Sequence, residues 1–146
     1  MLKGVIFGLD GTLSDAAHRQ HLAQAGAWDE YRKAAPGDAP FPDVADLFRE
    51  LQCTVPLWVV TGRDEAFRAP TEAWLLRHGL YPTAVLMRPK FNRMRASELK
   101  TFLILDAFGG WERIKAVASF SVDADPKVCE AYRVAGFPCW MPRQGK

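Results

Sequence analysis

Apolar residues come in short blocks separated by polar turns. The first block, residues 4–9, stops at Asp10-Gly11-Thr12, as a buried strand does when it runs into a polar loop. Residues 15–35 predict two helical pieces parted near Gly26, with Ser14 or Asp15 as the first N-cap and the second piece over 28–35. Pro36, Gly37, Pro40 and Pro42 predict a loop. From Asp43 onward, Val44, Leu47, Phe48 and Leu51 keep helical spacing. A second strand is predicted over 55–60, ending at Thr61-Gly62-Arg63. A helix over 70–78 follows, with Pro70 early and Gly79 as its stop. Residues 84–87 predict a third strand, 88–95 a basic loop and 96–108 a helix broken by Gly109-Gly110. A short helix over 111–115, a strand over 117–122 and a helix from Pro126 to Gly136 come next. A last short strand over 137–140 and a polar tail, Gln144-Gly145-Lys146, complete the pattern.

This alternation of strands and helices predicts an α/β fold, a three-layer Rossmann-like parallel sheet with helices on both faces. Residues 13–42 are too few for a second core and predict a small helical insertion over one end of the sheet. The chain of 146 residues, 49% of them apolar, is long enough for one domain with a real core. Three widely spaced cysteines (Cys53, Cys129, Cys139) contain no CxxC pair, which argues against a zinc knuckle and for reduced thiols. The net charge of +2 permits anionic ligands without demanding them. No apolar run approaches the roughly 20 residues that span a bilayer, and no secretory signal is evident. The expectation is a cytoplasmic protein with no membrane contact.

In parallel sheets of this kind, ligands sit outside the carboxyl ends of the strands. The residues predicted there are Asp10, Gly11 and Thr12 after the first strand, and Thr61 and Gly62 after the second. Asp123 and Asp125 follow the fourth, and Lys100 lies early in the helix after the basic loop. Carboxylates beside a lysine and backbone amides suit a hydrated magnesium ion and a phosphate. Each element alone is common in turns and strand exits. Their joint order is far more specific.

Residues 5–13, with Asp10-Gly11-Thr12-Leu13, resemble the first motif of the haloacid-dehalogenase (HAD) phosphatases, which reads Asp-x-Asp-Gly-Thr. Thr61-Gly62-Arg63 resembles the second motif, Lys100 the third, and Asp123-Ala124-Asp125 the fourth. Thr61 to Leu75, Leu86-Met87-Arg88 and Gly136 to Trp140 further resemble the 3′-phosphatase domain of phage polynucleotide kinases. The resemblance implies a magnesium-dependent aspartyl-phosphate mechanism on a phosphomonoester, a nucleotide or a nucleic-acid end. It implies Asp10 as general acid/base and Thr61, Gly62, Gly11, Thr12 and Lys100 as phosphate ligands. Asp10, Asp123 and Asp125 would face the metal. Arg63, Arg88, Arg93, Arg95, His18 and Arg19 would guide an anionic substrate. A kinase domain or other protein partner is implied as well.

Two positions depart from the pattern. Gly8 stands where the nucleophilic aspartate belongs, and Ala124 where a metal-ligating aspartate belongs. Both side chains would touch one ion, so their joint absence implies impaired catalysis. Two alternatives stay open. One is an active magnesium phosphatase in which Gly8 and Ala124 are deliberate substitutions or are compensated by Asp123 and Asp125. The other is a non-catalytic domain binding phosphate, a nucleic-acid end or a protein. The basic stretch 88–100, with Phe91 inside it, is either a solvated loop or a groove for a nucleic-acid end. Trp28 and Tyr31 are candidates for contacting a base, Trp74 for core packing, and His78 for a helix-terminal cation.

Overall fold

In a computed structural model describing residues 1–143, β1 (Gly4–Phe7) lies at the centre of a five-stranded sheet. The predicted polar tail, 144–146, falls outside the described residues. Strands β4 (Leu57–Asp64) and β5 (Ala84–Arg88) lie on one side of β1. Strands β6 (Ala118–Val122) and β7 (Cys139–Trp140) lie on the other. The order is β5-β4-β1-β6-β7 and every pairing is parallel. The chain moves outward from β1 on one side and then crosses back to the other. That reversal opens a crevice beyond the end of β1.

Alternation along the strands divides the core into two layers, because successive side chains of a strand face opposite ways. Val5 and Phe7 pack with Leu57, Val59, Val44, Phe48 and Trp74 under α3 (Pro42–Leu51) and α4 (Arg68–Arg77). Ile6 and Val60 pack with Leu99, Ile104, Ile114, Val128 and Tyr132 under α5 (Ala96–Phe108), α6 (Trp111–Val117) and α7 (Pro126–Val134). Five strands and the helices after them match the predicted elements, with boundaries shifted by a few residues.

The segment 13–42 holds more than helices. Alpha helices α1 (Gln20–Gln24) and α2 (Trp28–Lys33) are flanked by β2 (Ser14–Asp15) and β3 (Ala39–Pro40), which pair antiparallel. This two-residue ladder ties the exit and the return of the segment together beside the crevice. Gly11, at φ 80°, turns the chain sharply after Asp10, and the Leu9 carbonyl accepts from the amides of Thr12, Leu13 and Ser14. In β4 the register shifts between Val60 and Asp64. The shift lifts Thr61-Gly62-Arg63 out of the regular ladder and re-aims their side chains, a common role for bulges next to sites.

Candidate functional site

The ends of β1 and β6 build a closed polar centre. The amide of Gly8 donates to the Val122 carbonyl at 2.9 Å, which fixes the two strand ends side by side. Asp123, only 2% exposed, points its carboxylate at the empty side of Gly8. A β-carbon at Gly8 would lie 2.5 Å from Asp123 Oδ2 and 3.0 Å from Thr12 Oγ1. Lys100, from α5, donates to the same Oδ2 at 2.8 Å, and the Asp125 amide donates to Oδ1 at 2.9 Å. Thr12 accepts from the Ala124 amide at 3.0 Å. Gly8, Thr12, Lys100, Asp123, Ala124 and Asp125 therefore lie in one cluster. Thr61 is buried in the neighbouring strand and accepts from the Arg63 amide at 3.1 Å.

A second centre lies toward the 13–42 segment. Asp10 accepts from Arg19 Nη2 at 2.7 Å, from Arg63 Nη2 at 2.7 Å and from Arg63 Nε at 3.0 Å. Burial pushes the Asp10 pKa up, but the guanidiniums of Arg63 and Arg19 outweigh it and hold the carboxyl below its usual range. Arg19 is itself buried. Its Nε and Nη2 donate to the two oxygens of Asp38 at 2.8 Å each. Burial lowers the Arg19 pKa, yet Asp38 and Asp10 raise it further, so the guanidinium keeps its proton. His18 Nε2 reaches Asp38 Oδ1 at 2.7 Å from the solvent side, and Arg63 Nη1 donates to Thr71 at 3.1 Å. Asp38 thus anchors the cluster, although its short Pro-Gly-rich context gives no periodic signal in the sequence. Thr71 was likewise not expected at the site.

Beyond Asp10 opens a cleft of about 590 Å³. Its walls include Arg19, Arg63, Arg88, Arg93 and Gly62 among the expected residues, with Trp28, Tyr31 and Phe91. Arg88 donates to the carbonyls of Gly62 at 2.8 Å and Met94 at 2.7 Å, so its guanidinium is fixed in place. Arg95 does not line this cleft: it is the exposed N-cap residue of α5. His18 stands outside it as well. His78 differs from the expected helix-terminal cation. It lies against Trp74 with ring centroids 4.6 Å apart, and burial, with Arg77 and Arg49 nearby, pushes its pKa down.

The three carboxylates nominated for magnesium do not converge. Asp10 faces two guanidiniums, Asp123 faces Lys100, and Asp125 caps α7 by accepting from the Lys127 amide at 2.9 Å. Among the described residues, no three His, Cys, Asp or Glu side chains gather so as to hold a metal ion. A hard divalent cation needs several oxygen ligands directed at one point. This donor set, with Asp10 and Asp123 paired to cationic side chains and Asp125 turned to cap a helix, does not fit it. Among the described residues no helix is long and apolar enough to cross a membrane.

No protein-family model and no curated protein matches the chain. Solved structures do. A chain of the Pnkp1/Rnl/Hen1 RNA repair complex superposes with a TM-score of 0.82 at 24% identity, covering 99% of this chain and 44% of that one. A second structure of that complex gives 0.80 at 24% identity, with 99% and 47% covered. This chain therefore spans less than half the length of those two. A HAD-superfamily hydrolase of subfamily IA from Geobacter sulfurreducens PCA gives 0.59 at 19% identity, covering 94% of this chain and 85% of that one. A class C acid phosphatase from Bacillus anthracis with tungstate bound gives 0.60 at 14%, with 99% and 69% covered. The parallel sheet, the crevice beyond β1 and these superpositions agree: the chain has the HAD-like fold and resembles the phosphatases built on it.

Proposed function

We propose that this chain belongs to the phosphomonoester-hydrolase lineage of polynucleotide 3′-phosphatases but binds phosphate esters with little or no turnover. The observation that carries this reading is the Asp123 carboxylate, held by Lys100, in the side-chain space of Gly8. An aspartyl-phosphate mechanism needs a carboxylate at that point. Removing such a nucleophile costs on the order of 10⁴–10⁶ in rate in other covalent-catalysis enzymes. Asp10 also suits the acid role poorly, because both of its oxygens already accept hydrogen bonds from guanidiniums, Oδ1 from Arg19 and Arg63 and Oδ2 from Arg63. The similarity to a chain of an RNA repair complex supports a nucleotide or nucleic-acid end as ligand. More than half of each of the two RNA-repair-complex chains lies outside the region covered here, which supports a kinase domain or another protein as partner.

The test is phosphate release from an aryl phosphate and from a 3′-phosphorylated oligonucleotide, with and without magnesium. The expected result is no metal-stimulated release above background. Metal-dependent turnover near about 1 per second, ordinary for enzymes, overturns the reading. The same geometry favours one alternative, in which Asp123 takes over as nucleophile from beside Gly8. Residual turnover that disappears in Asp123→Asn would establish it.

A further inference from the structure

We propose that the cleft beside Asp10 binds a single nucleotide unit, with its base among Phe91, Trp28 and Tyr31 and its phosphate on Arg88 and Arg93. The proposal deepens the reading of the chain as a phosphate-ester binder and rests on it for the phosphate alone.

Phe91 is the first argument. It is 95% exposed and adopts φ 67°, the only non-glycine residue of the described structure with positive φ. A bulky residue is uncommon in that region, and exposing a phenyl ring to water is unfavourable too. Nothing in the folded chain offsets either cost. The turn that holds the ring outward is nevertheless well built. Asn92 donates its amide to the Pro89 carbonyl at 3.1 Å, and the Met94 amide donates to the Asn92 side chain at 2.9 Å. Strained residues that persist inside a well-determined turn point to function.

Trp28 and Tyr31 supply a second aromatic surface in the same cleft. Trp28 and Tyr31 meet edge to face, with centroids 5.6 Å apart, and Trp28 is half exposed. All three rings line the same cleft. Its volume, about 590 Å³, falls within the roughly 300–1,000 Å³ of small-molecule sites. Flat aromatic walls accept any nucleobase by stacking.

The charge on the walls is unevenly neutralised. Arg19 and Arg63 are matched by Asp10 and Asp38. Arg88 and Arg93 have no carboxylate within ion-pair distance among the described residues. Burial pushes the Arg88 pKa down, against a weaker upward pull from Asp64. Its nitrogens Nε and Nη1 are spent on backbone carbonyls. A β-carbon at Gly62 would lie only 3.4 Å from Nη2, so the absence of a side chain there leaves this nitrogen room. A fixed, half-buried guanidinium without a counter-ion is a natural phosphate ligand.

Calorimetric titration of the chain with adenosine monophosphate, adenosine and inorganic phosphate tests this. The monophosphate is expected to bind at least about tenfold tighter than either part alone. Phe91→Gly should weaken it about tenfold, in line with base–aromatic stacking, and should not lower the melting midpoint, because glycine accepts that backbone angle. Phe91→Tyr should restore binding. Arg93→Gln should reduce the monophosphate toward the affinity of adenosine. A 3′-phosphorylated oligonucleotide run alongside shows whether a strand end or a free nucleotide is the better source of the unit. Full affinity in Phe91→Gly, or a monophosphate that binds no better than inorganic phosphate, overturns the proposal. Phosphate release measured in the same samples bears only on the impaired-hydrolysis reading, so the two stand or fall separately.

Discussion

Gly8 decides what kind of chemistry the strand tips can perform, because Asp123 has moved into the room it leaves. Simple restoration of an aspartate is therefore expected to fail. Gly8→Asp brings a β-carbon within 2.5 Å of Asp123 Oδ2 and sets a second carboxylate beside the first. Overpacking of this kind costs about 1–3 kcal/mol, so urea unfolding should show a loss in that range without gain of phosphate release. Asp38 is a residue of the opposite kind: unremarkable in the sequence and central in the fold. Asp38→Ala leaves the buried Arg19 guanidinium without its bidentate partner. Stranding a buried charge costs about 3–5 kcal/mol, a loss measurable by denaturant titration, and the cleft beside Asp10 should lose its shape with it.

At the level of elements, the helix Ala96–Phe108 was legible to the residue, because Gly109 takes φ 88° and ends it sharply. Elsewhere the boundaries moved for identifiable reasons. The first strand ends at Phe7 although Gly8 and Leu9 are buried, since the chain turns there into the Asp10-Gly11 corner. The second strand runs on to Asp64 because a register shift carries Thr61-Gly62-Arg63 along with it. The β2–β3 ladder was invisible: two residues per strand display no period, and Pro40 argues against a strand. The candidate site was legible where it follows strand tips, as with Asp10 and Asp123, and in Lys100 early in a clearly bounded helix. It was illegible where it depends on long-range folding of the 13–42 segment, as with Asp38. The tie between elements is also testable. Lys100 fastens α5 to the turn after β6 through Asp123. Lys100→Met should cost about 3–5 kcal/mol by leaving a buried carboxylate unpaired, whereas Lys100→Met with Asp123→Leu should cost clearly less. Denaturant midpoints of the single and double variants measure the difference.

For the whole molecule, the carboxyl groups with resolved shifts all move down. Burial pushes Asp10 and Asp43 up, yet Arg63 and Arg19 on the first, and the Val44 amide with Arg143 on the second, bring both below their ordinary values. Arg68 draws Glu65 down directly, against burial. A carboxyl whose folded pKa is depressed adds stability above its unfolded value and loses it as the pH falls through the folded one. The melting midpoint should therefore fall steeply below about pH 4, the ordinary carboxylate range, after a shallower decline that starts at about pH 6.5, where the unfolded histidine takes up a proton that His78 resists in the fold. The strand order has a separate bearing on how the fold is reached. Gly4–Phe7 precedes both of its sheet neighbours in the chain, one flank being filled by 57–59 and the other only by 118–122. One edge of its backbone must wait unpaired until 118–122 emerge, so a nascent chain halted before residue 118 should aggregate or recruit chaperones, while release of the two remaining strands should let the whole sheet close in one late, cooperative event.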